Sequence, residues 1–149
     1  MRVAIGTDHA GFDLKEELIA RLQNAGHEVV DVGAYNAEPS DYPDSAAAVA
    51  RKVLSGDAER GIAVCGSGAG ASIAAGKITG IKSATVHDVY TAHQAVEHDG
   101  MNVIAIGARV VGTELAWEIA ETFLEAEFSG EERHLRRLAK VDELDRKRV

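Results

Sequence analysis

The chain has 149 residues, enough for one domain with a sizeable core, and its 46% hydrophobic and 27% charged content excludes a disordered chain. No stretch approaches the ~18 consecutive apolar residues of a membrane span, and the apolar part of residues 1–6 is too short for a signal peptide. A net charge of −8 argues against non-specific nucleic-acid binding, and a single cysteine, unable to form an internal disulfide, fits a reducing cytoplasm.

Apolar β-prone runs alternate with helical patterns along the whole chain. Residues 2–6 read as a strand and 12–25 as a helix, with Leu14, Leu18, Leu22 and Ala25 on one face and Gly26 as the stop. Residues 28–32 form a second expected strand. The polar loop after it carries Pro39 and Pro43 and is long for a helix connection, a length that goes with function. An alanine-rich helix near 44–55 leads to a third strand at 61–65, and a glycine-rich turn leads to a helix at about 70–77. Residues 82–86 and 102–106 read as strands four and five, with helices at 88–98 and 113–126. A charged helix at about 131–146 closes the chain, with Leu135, Leu138, Val141 and Leu144 as its apolar stripe. That stripe either covers the sheet or meets a second subunit.

Five β–α units in series predict a three-layer α/β, Rossmann-like fold: a five-stranded parallel sheet with helices on both faces and one further helix at the C-terminus. No repeat or linker divides residues 1–149, so a single domain is expected. In such sheets ligands bind beyond the carboxyl ends of the strands, where the strand order reverses. An order of 2-1-3-4-5 puts that point between the first and third strands.

Two segments then converge. The first strand ends in Thr7-Asp8-His9-Ala10-Gly11, and the third in Cys65-Gly66-Ser67-Gly68-Ala69-Gly70. Glycines at 66, 68 and 70 let successive N–H groups point at one anion, and a thiolate beside them is a base or nucleophile. Each residue alone has a plainer use: Cys65 as a small buried hydrophobe, Asp8 as a cap, His9 in one backbone bond. Their meeting at one switch point favours function.

Other sites fit less well. A phosphatase loop lacks its arginine, since position 71 is Ala, and a Walker A loop fails because Lys77 is followed by Ile78. The run Gly66–Ala71 matches a Gly-x-Gly-x-x-Ala dinucleotide pattern with Asp88 downstream, so a nucleotide-binding module is an alternative. No spacing among Asp8, His9, His87, His93 and His98 resembles a zinc pair. Glu97-His98-Asp99 precedes the fifth strand, at the opposite end of the sheet from Cys65, and can serve that site only from another subunit. Arg133 and Arg137 share a helix face with His134 nearby, a phosphate-sized basic patch or a solvated face. Arg136, Lys140, Arg146, Lys147 and Arg148 add to the basic character of this stretch.

Taken together, Gly6-Thr7-Asp8-His9-Ala10-Gly11, Asp41-Tyr42-Pro43, the Cys65–Gly70 loop, His98 with Asn102, Gly107-Ala108-Arg109-Val110-Val111-Gly112, and Arg133-His134 with Arg137 resemble the ribose-5-phosphate isomerase B family. That family also includes galactose-6-phosphate isomerase subunits. The likeness runs nearly end to end. It implies an aldose–ketose isomerase of ribose 5-phosphate and ribulose 5-phosphate, without metal or cofactor, in a homodimer or dimer of dimers with shared active sites. An isomerase of another four- to six-carbon sugar phosphate is the nearest alternative, and a silent sugar-phosphate sensor on the same fold is a third.

By matching position, the resemblance makes Cys65 the base that moves a proton between C1 and C2. The N–H groups of Gly66, Ser67, Gly68, Ala69 and Gly70 hold the enediolate oxygen, with Ser67 also shuttling hydroxyl protons. His98 of a neighbouring subunit opens the furanose ring, and Asp8 binds sugar hydroxyls or assists. His9, Arg133 and Arg137 contact the phosphate, while Tyr42, Asp99 and Arg109 line the site. An enediolate needs one base and preorganised donors, each worth ~3 kcal/mol to the transition state. Three positions depart from the family pattern: Ser67 replaces Thr, Gly76 replaces Asn, and Asp99 replaces Asn with a carboxylate that bears on sugar preference.

Overall fold

The computed structural model describes residues 1–147, so Arg148 lies outside the described residues. Its strands are β1 (Arg2–Thr7), β2 (Glu28–Asp31), β3 (Arg60–Cys65), β4 (Ser83–Thr85) and β5 (Val103–Gly107). The helices are α1 (Phe12–Asn24), α2 (Tyr42–Leu54), α3 (Ala69–Ala75), α4 (Val89–Asp99), α5 (Thr113–Glu125) and α6 (Glu132–Arg146). Every strand pair is parallel.

The sheet order is β2-β1-β3-β5-β4, which corrects the expected 2-1-3-4-5. Burial accounts for the exchange. Val103–Gly107 is buried at every position and so takes the inner place, whereas Ser83 and Ala84 are half-buried and Thr85 is exposed. A strand with polar side chains tolerates the edge; an all-apolar one does not. The reversal of order beside β1 and β3 is unaffected, and that is the point the site depends on.

The two faces of the sheet differ in side-chain size. Val3, Ile5, Ile62, Val64, Ile104 and Ile106 point into the larger core, against α1, α4 and α5 with Phe123. Ala4, Ala63, Cys65, Val103 and Ala105 point to the other side, where α2 and α3 pack. This alternation is the period-two pattern of strands buried on both faces. Small side chains bring α2 very close. A Cβ on Gly61 would lie 2.5 Å from Val49 Cγ1, and one on Gly6 would lie 3.0 Å from Val49 Cγ2.

The apolar stripe of α6 does not reach the sheet. The helix docks on α4 through buried His134 and half-buried Leu138, with a Lys82–Asp142 ion pair at 2.9 Å. Leu135, Val141 and Leu144 face outward, 51%, 49% and 72% exposed, which decides against the covering role within one chain. Ala25 is likewise exposed and caps α1 instead of joining its buried face, while Gly26 takes the left-handed conformation (φ +89°) that stops the helix.

The close approach of α2 yields a direct test. Gly61→Ala should lower the unfolding free energy by about 2 kcal/mol through overpacking against Val49, read by urea denaturation; an unchanged midpoint would contradict the packing.

Candidate active site

Asp8 leaves the end of β1 and accepts the Ala10 N–H at 3.0 Å, capping a short 3-10 turn over His9–Gly11. Its plainer use as a cap is therefore real, yet the same side chain also lines a cleft of about 430 Å³. Gly11 lets this turn lie directly on β3, since a Cβ there would sit 2.4 Å from both Thr7 Oγ1 and Val64 Cγ1. His9 is exposed, and its Nδ1 accepts the Ser40 N–H at 3.2 Å, which ties it to the long loop before α2.

Across the cleft, Cys65 ends β3 with 3% of its surface exposed. The chain turns back at Gly68 (φ +81°), whose N–H donates to Cys65 Sγ at 3.1 Å. Ala69 N–H donates to Ser67 Oγ at 3.2 Å. Among the described residues the N–H groups of Gly66, Ser67 and Gly70 make no hydrogen bond, so they are the loop's open donors. Gly70 has to be glycine because Tyr42 lies on it: a Cβ there would be 2.8 Å from the ring. Arg109 closes the far side and is anchored through its N–H to Gly66 O at 3.0 Å.

One chain thus gathers Asp8, His9, Tyr42, Cys65, Gly66, Ser67, Gly70 and Arg109 around the cleft, with Gly68 and Ala69 directly behind it. It does not gather His98, Asp99, Arg133 or Arg137. His98 lies in the last turn of α4, next to the beginnings of β3, β4 and β5, where Gly61 N–H bonds Asn102 O. Its ring stacks on His134 at 4.1 Å, and its Nδ1 takes the Gln94 amide at 3.0 Å. Asp99 and Arg137 line a separate groove of about 470 Å³ beneath α6, and Arg133 pairs with Glu131 at 2.8 Å.

Several contributors were not legible in the sequence. Ser40 meets His9 only because the loop folds back, a closure with no local pattern. Lys15 is fully buried inside an apparently ordinary amphipathic helix, and both oxygens of Asp31 hold its Nζ, at 2.9 and 2.8 Å. That pair anchors the loop's root, because Asp31 Oδ1 also accepts the Gly33 N–H at 2.9 Å. Asp88, the ribose ligand of the nucleotide alternative, instead caps α4 by accepting the Thr91 N–H at 2.7 Å. Among the described residues no group of three or more His, Cys, Asp or Glu side chains is placed to share a metal ion, and no helix is long and apolar enough to cross a membrane.

The sequence pattern of the Ribose/Galactose Isomerase family matches residues 3–141. The chain belongs to this family. Among its relatives, ribose-5-phosphate isomerase B of Escherichia coli is 41% identical over 147 residues, covering 99% of this chain and 98% of the relative. A D-erythrulose-4-phosphate isomerase of Pectobacterium atrosepticum is 42% identical over 134 residues, covering 87% and 86%. The solved ribose-5-phosphate isomerase B of Clostridium thermocellum superposes with a TM-score of 0.96 at 45% identity, covering 99% of each chain. The Mycoplasma genitalium enzyme, solved with bound ribulose-5-phosphate, does so at 0.91 and 36% identity, covering 99% and 97%. The chain is accordingly a family isomerase in sequence and in fold.

His134 carries a pH consequence. Burial holds its pKa below the ordinary imidazole value; the charges of His98, Arg133 and Arg137 act the same way, and Glu131 opposes them. The unfolded chain therefore takes up the proton first as pH falls. Stability should be full above about pH 6.5 and decline below it, and His134→Phe should flatten that decline, as read by urea midpoints. A wild-type midpoint constant through that range would contradict the burial of a neutral ring.

Proposed function

We propose that this chain interconverts ribose 5-phosphate and ribulose 5-phosphate through a cis-enediolate, with Cys65 as the base. The observation that carries this reading is the placement of Cys65 Sγ at the end of β3, opposite Asp8 and His9 and beside the loop's open N–H donors. In the aldose-to-ketose direction the thiolate takes the proton from C2, and the C2–H electron pair becomes the C1=C2 double bond of the enediolate. The carbonyl oxygen at C1 gains negative charge, which Ser67 and Gly70 N–H groups are placed to hold. The same sulfur returns the proton to C1 while Ser67 Oγ relays the hydroxyl proton between O2 and O1. One residue that removes and returns the proton suffices, so the chemistry needs no redox partner.

Asp8 binds sugar hydroxyls, Tyr42 packs on the sugar, and His9 and Arg109 face the anionic end. Ring opening falls to His98 and the rest of the phosphate grip to Arg133 and Arg137 of a second copy, with Asp99 of that copy lining the sugar side, in a homodimer or dimer of dimers with sites at the interface. Three features support this division. These four residues lie at the opposite end of their own sheet, α6 presents Leu135, Val141 and Leu144 unpacked, and the Gln94 bond at Nδ1 leaves His98 Nε2 to carry a transferable proton. The full-length likeness to ribose-5-phosphate isomerase B favours the five-carbon substrate over other sugar phosphates.

A direct isomerase assay on ribose 5-phosphate tests the base. Cys65→Ala should lower kcat by about 10³-fold or more, and EDTA should leave the wild type unchanged. Full activity in Cys65→Ala would remove the thiol from the reaction, and loss with EDTA would demand a metal. The shared site has its own test. Unfolding and refolding Cys65→Ala with His98→Ala in equal amounts should restore about a quarter of wild-type activity, because half the dimers then hold one intact site. No recovery would place His98 outside the partner's site.

A further inference from the structure

We propose that His87 is a positioning residue for the Cys65 loop, acting through the main chain of Gly107. The inference rests on the reading of Cys65 as the base. It begins at the edge of the sheet. The register of β4 against β5 ends at Thr85 opposite Ala105, and the last ladder bond is Val86 N–H to Ala105 O at 3.0 Å. The chain then leaves the sheet through Asp88, the cap of α4. Gly107, two residues farther along β5, therefore faces a gap where a longer β4 would have offered a carbonyl. His87 fills it: Nε2 accepts the Gly107 N–H at 2.8 Å. A main-chain N–H can only donate, so the ring holds its own proton on Nδ1.

Gly107 is also the back wall of the loop. A Cβ at this residue would lie 2.5 Å from Ser67 C and 2.6 Å from Ser67 O. Gly68 is close from its side as well, with a Cβ position 3.1 Å from Gly107 N, and Thr85 Oγ1 donates to Gly68 O at 3.2 Å. Directly beyond Gly107, Ala108 N–H bonds Cys65 O at 2.9 Å and Arg109 N–H bonds Gly66 O at 3.0 Å. One peptide thus sits between the imidazole and the Ser67 carbonyl while its neighbours carry Cys65 and Arg109. Without the acceptor, Gly107 N–H is left unpaired in a buried position, and the strand end relaxes toward other partners. That shift reaches the sulfur, the open N–H donors and Arg109 together, and their spacing sets the transition state more than ground-state binding.

Two variants and one wild-type measurement test this. In His87→Leu, which removes the acceptor, kcat should fall about tenfold with KM changed less than about twofold, while His87→Gln, whose amide oxygen can take the place of Nε2, should recover most of the loss. Amide hydrogen exchange should show Gly107 protected in the wild type and in His87→Gln, and unprotected in His87→Leu, with Ile106 protected in all three. Exchange reads the hydrogen bond without reference to turnover, so failure of the Cys65 assignment stays distinguishable from failure of this one. Wild-type kcat in His87→Leu, or equal Gly107 protection in all three, would overturn the proposal. Should His87→Leu not fold, nitrogen NMR of wild-type His87 decides, with an unprotonated Nε2 expected and a protonated Nε2 overturning it.

Discussion

The small-residue face of the sheet is the constraint on which the remaining geometry depends. Alanines at 4, 63 and 105, with glycines at 6 and 61, let α2 and α3 settle almost onto the backbone of β1, β3 and β5. Cys65 belongs to this face by the strand's period of two, so its sulfur points toward the helices instead of into the isoleucine-rich core. Tyr42, at the start of α2, is thereby brought onto Gly70 at the start of α3. A bulkier side chain along this face would lift the helices and separate the tyrosine from the loop. Packing and site geometry are one problem here, solved by the same residues.

A second division runs along the strands. Their carboxyl ends carry the thiol, the capping aspartate and the loop donors, whereas their amino ends receive His98 and the basic stretch of α6. Although the chain is net acidic, the α6 stretch is locally basic, and on the proposed reading that local charge outweighs the overall −8 for an anionic substrate. The stacked His98–His134 pair joins α4 to α6, with Ser129 Oγ 2.5 Å from His134 Nδ1. This fixes the ring of His98 from behind and leaves its other side available.

Much of this was legible in the amino acids because it rests on short-range signals. Runs such as Gly61–Cys65 and Val103–Gly107 announce strands by their apolar character, and Gly68 announces a turn that needs a positive φ. The convergence of Asp8, His9 and Cys65 followed from parallel topology alone. The order of β4 and β5 did not, because parallel topology admits either order; the signal lay in composition, Ser83 and Thr85 in β4 against an all-apolar β5. Long-range pairings were also out of reach. Nothing near Lys15 indicates that Asp31 receives its ammonium, and nothing near His87 indicates that Gly107 lacks a strand partner. Such bonds exist only once distant segments have been brought together by burial.

The central claim is a proton transfer by Cys65, and solvent isotope exchange reads that step most directly. In D2O the wild type should carry deuterium onto the carbon that gains the proton, C1 of ribulose 5-phosphate or C2 of ribose 5-phosphate in the reverse direction. Cys65→Ala should still bind the sugar phosphate and incorporate none. Deuterium appearing in the Cys65→Ala reaction at the wild-type rate would contradict the account, since the proton would then be moving through another group.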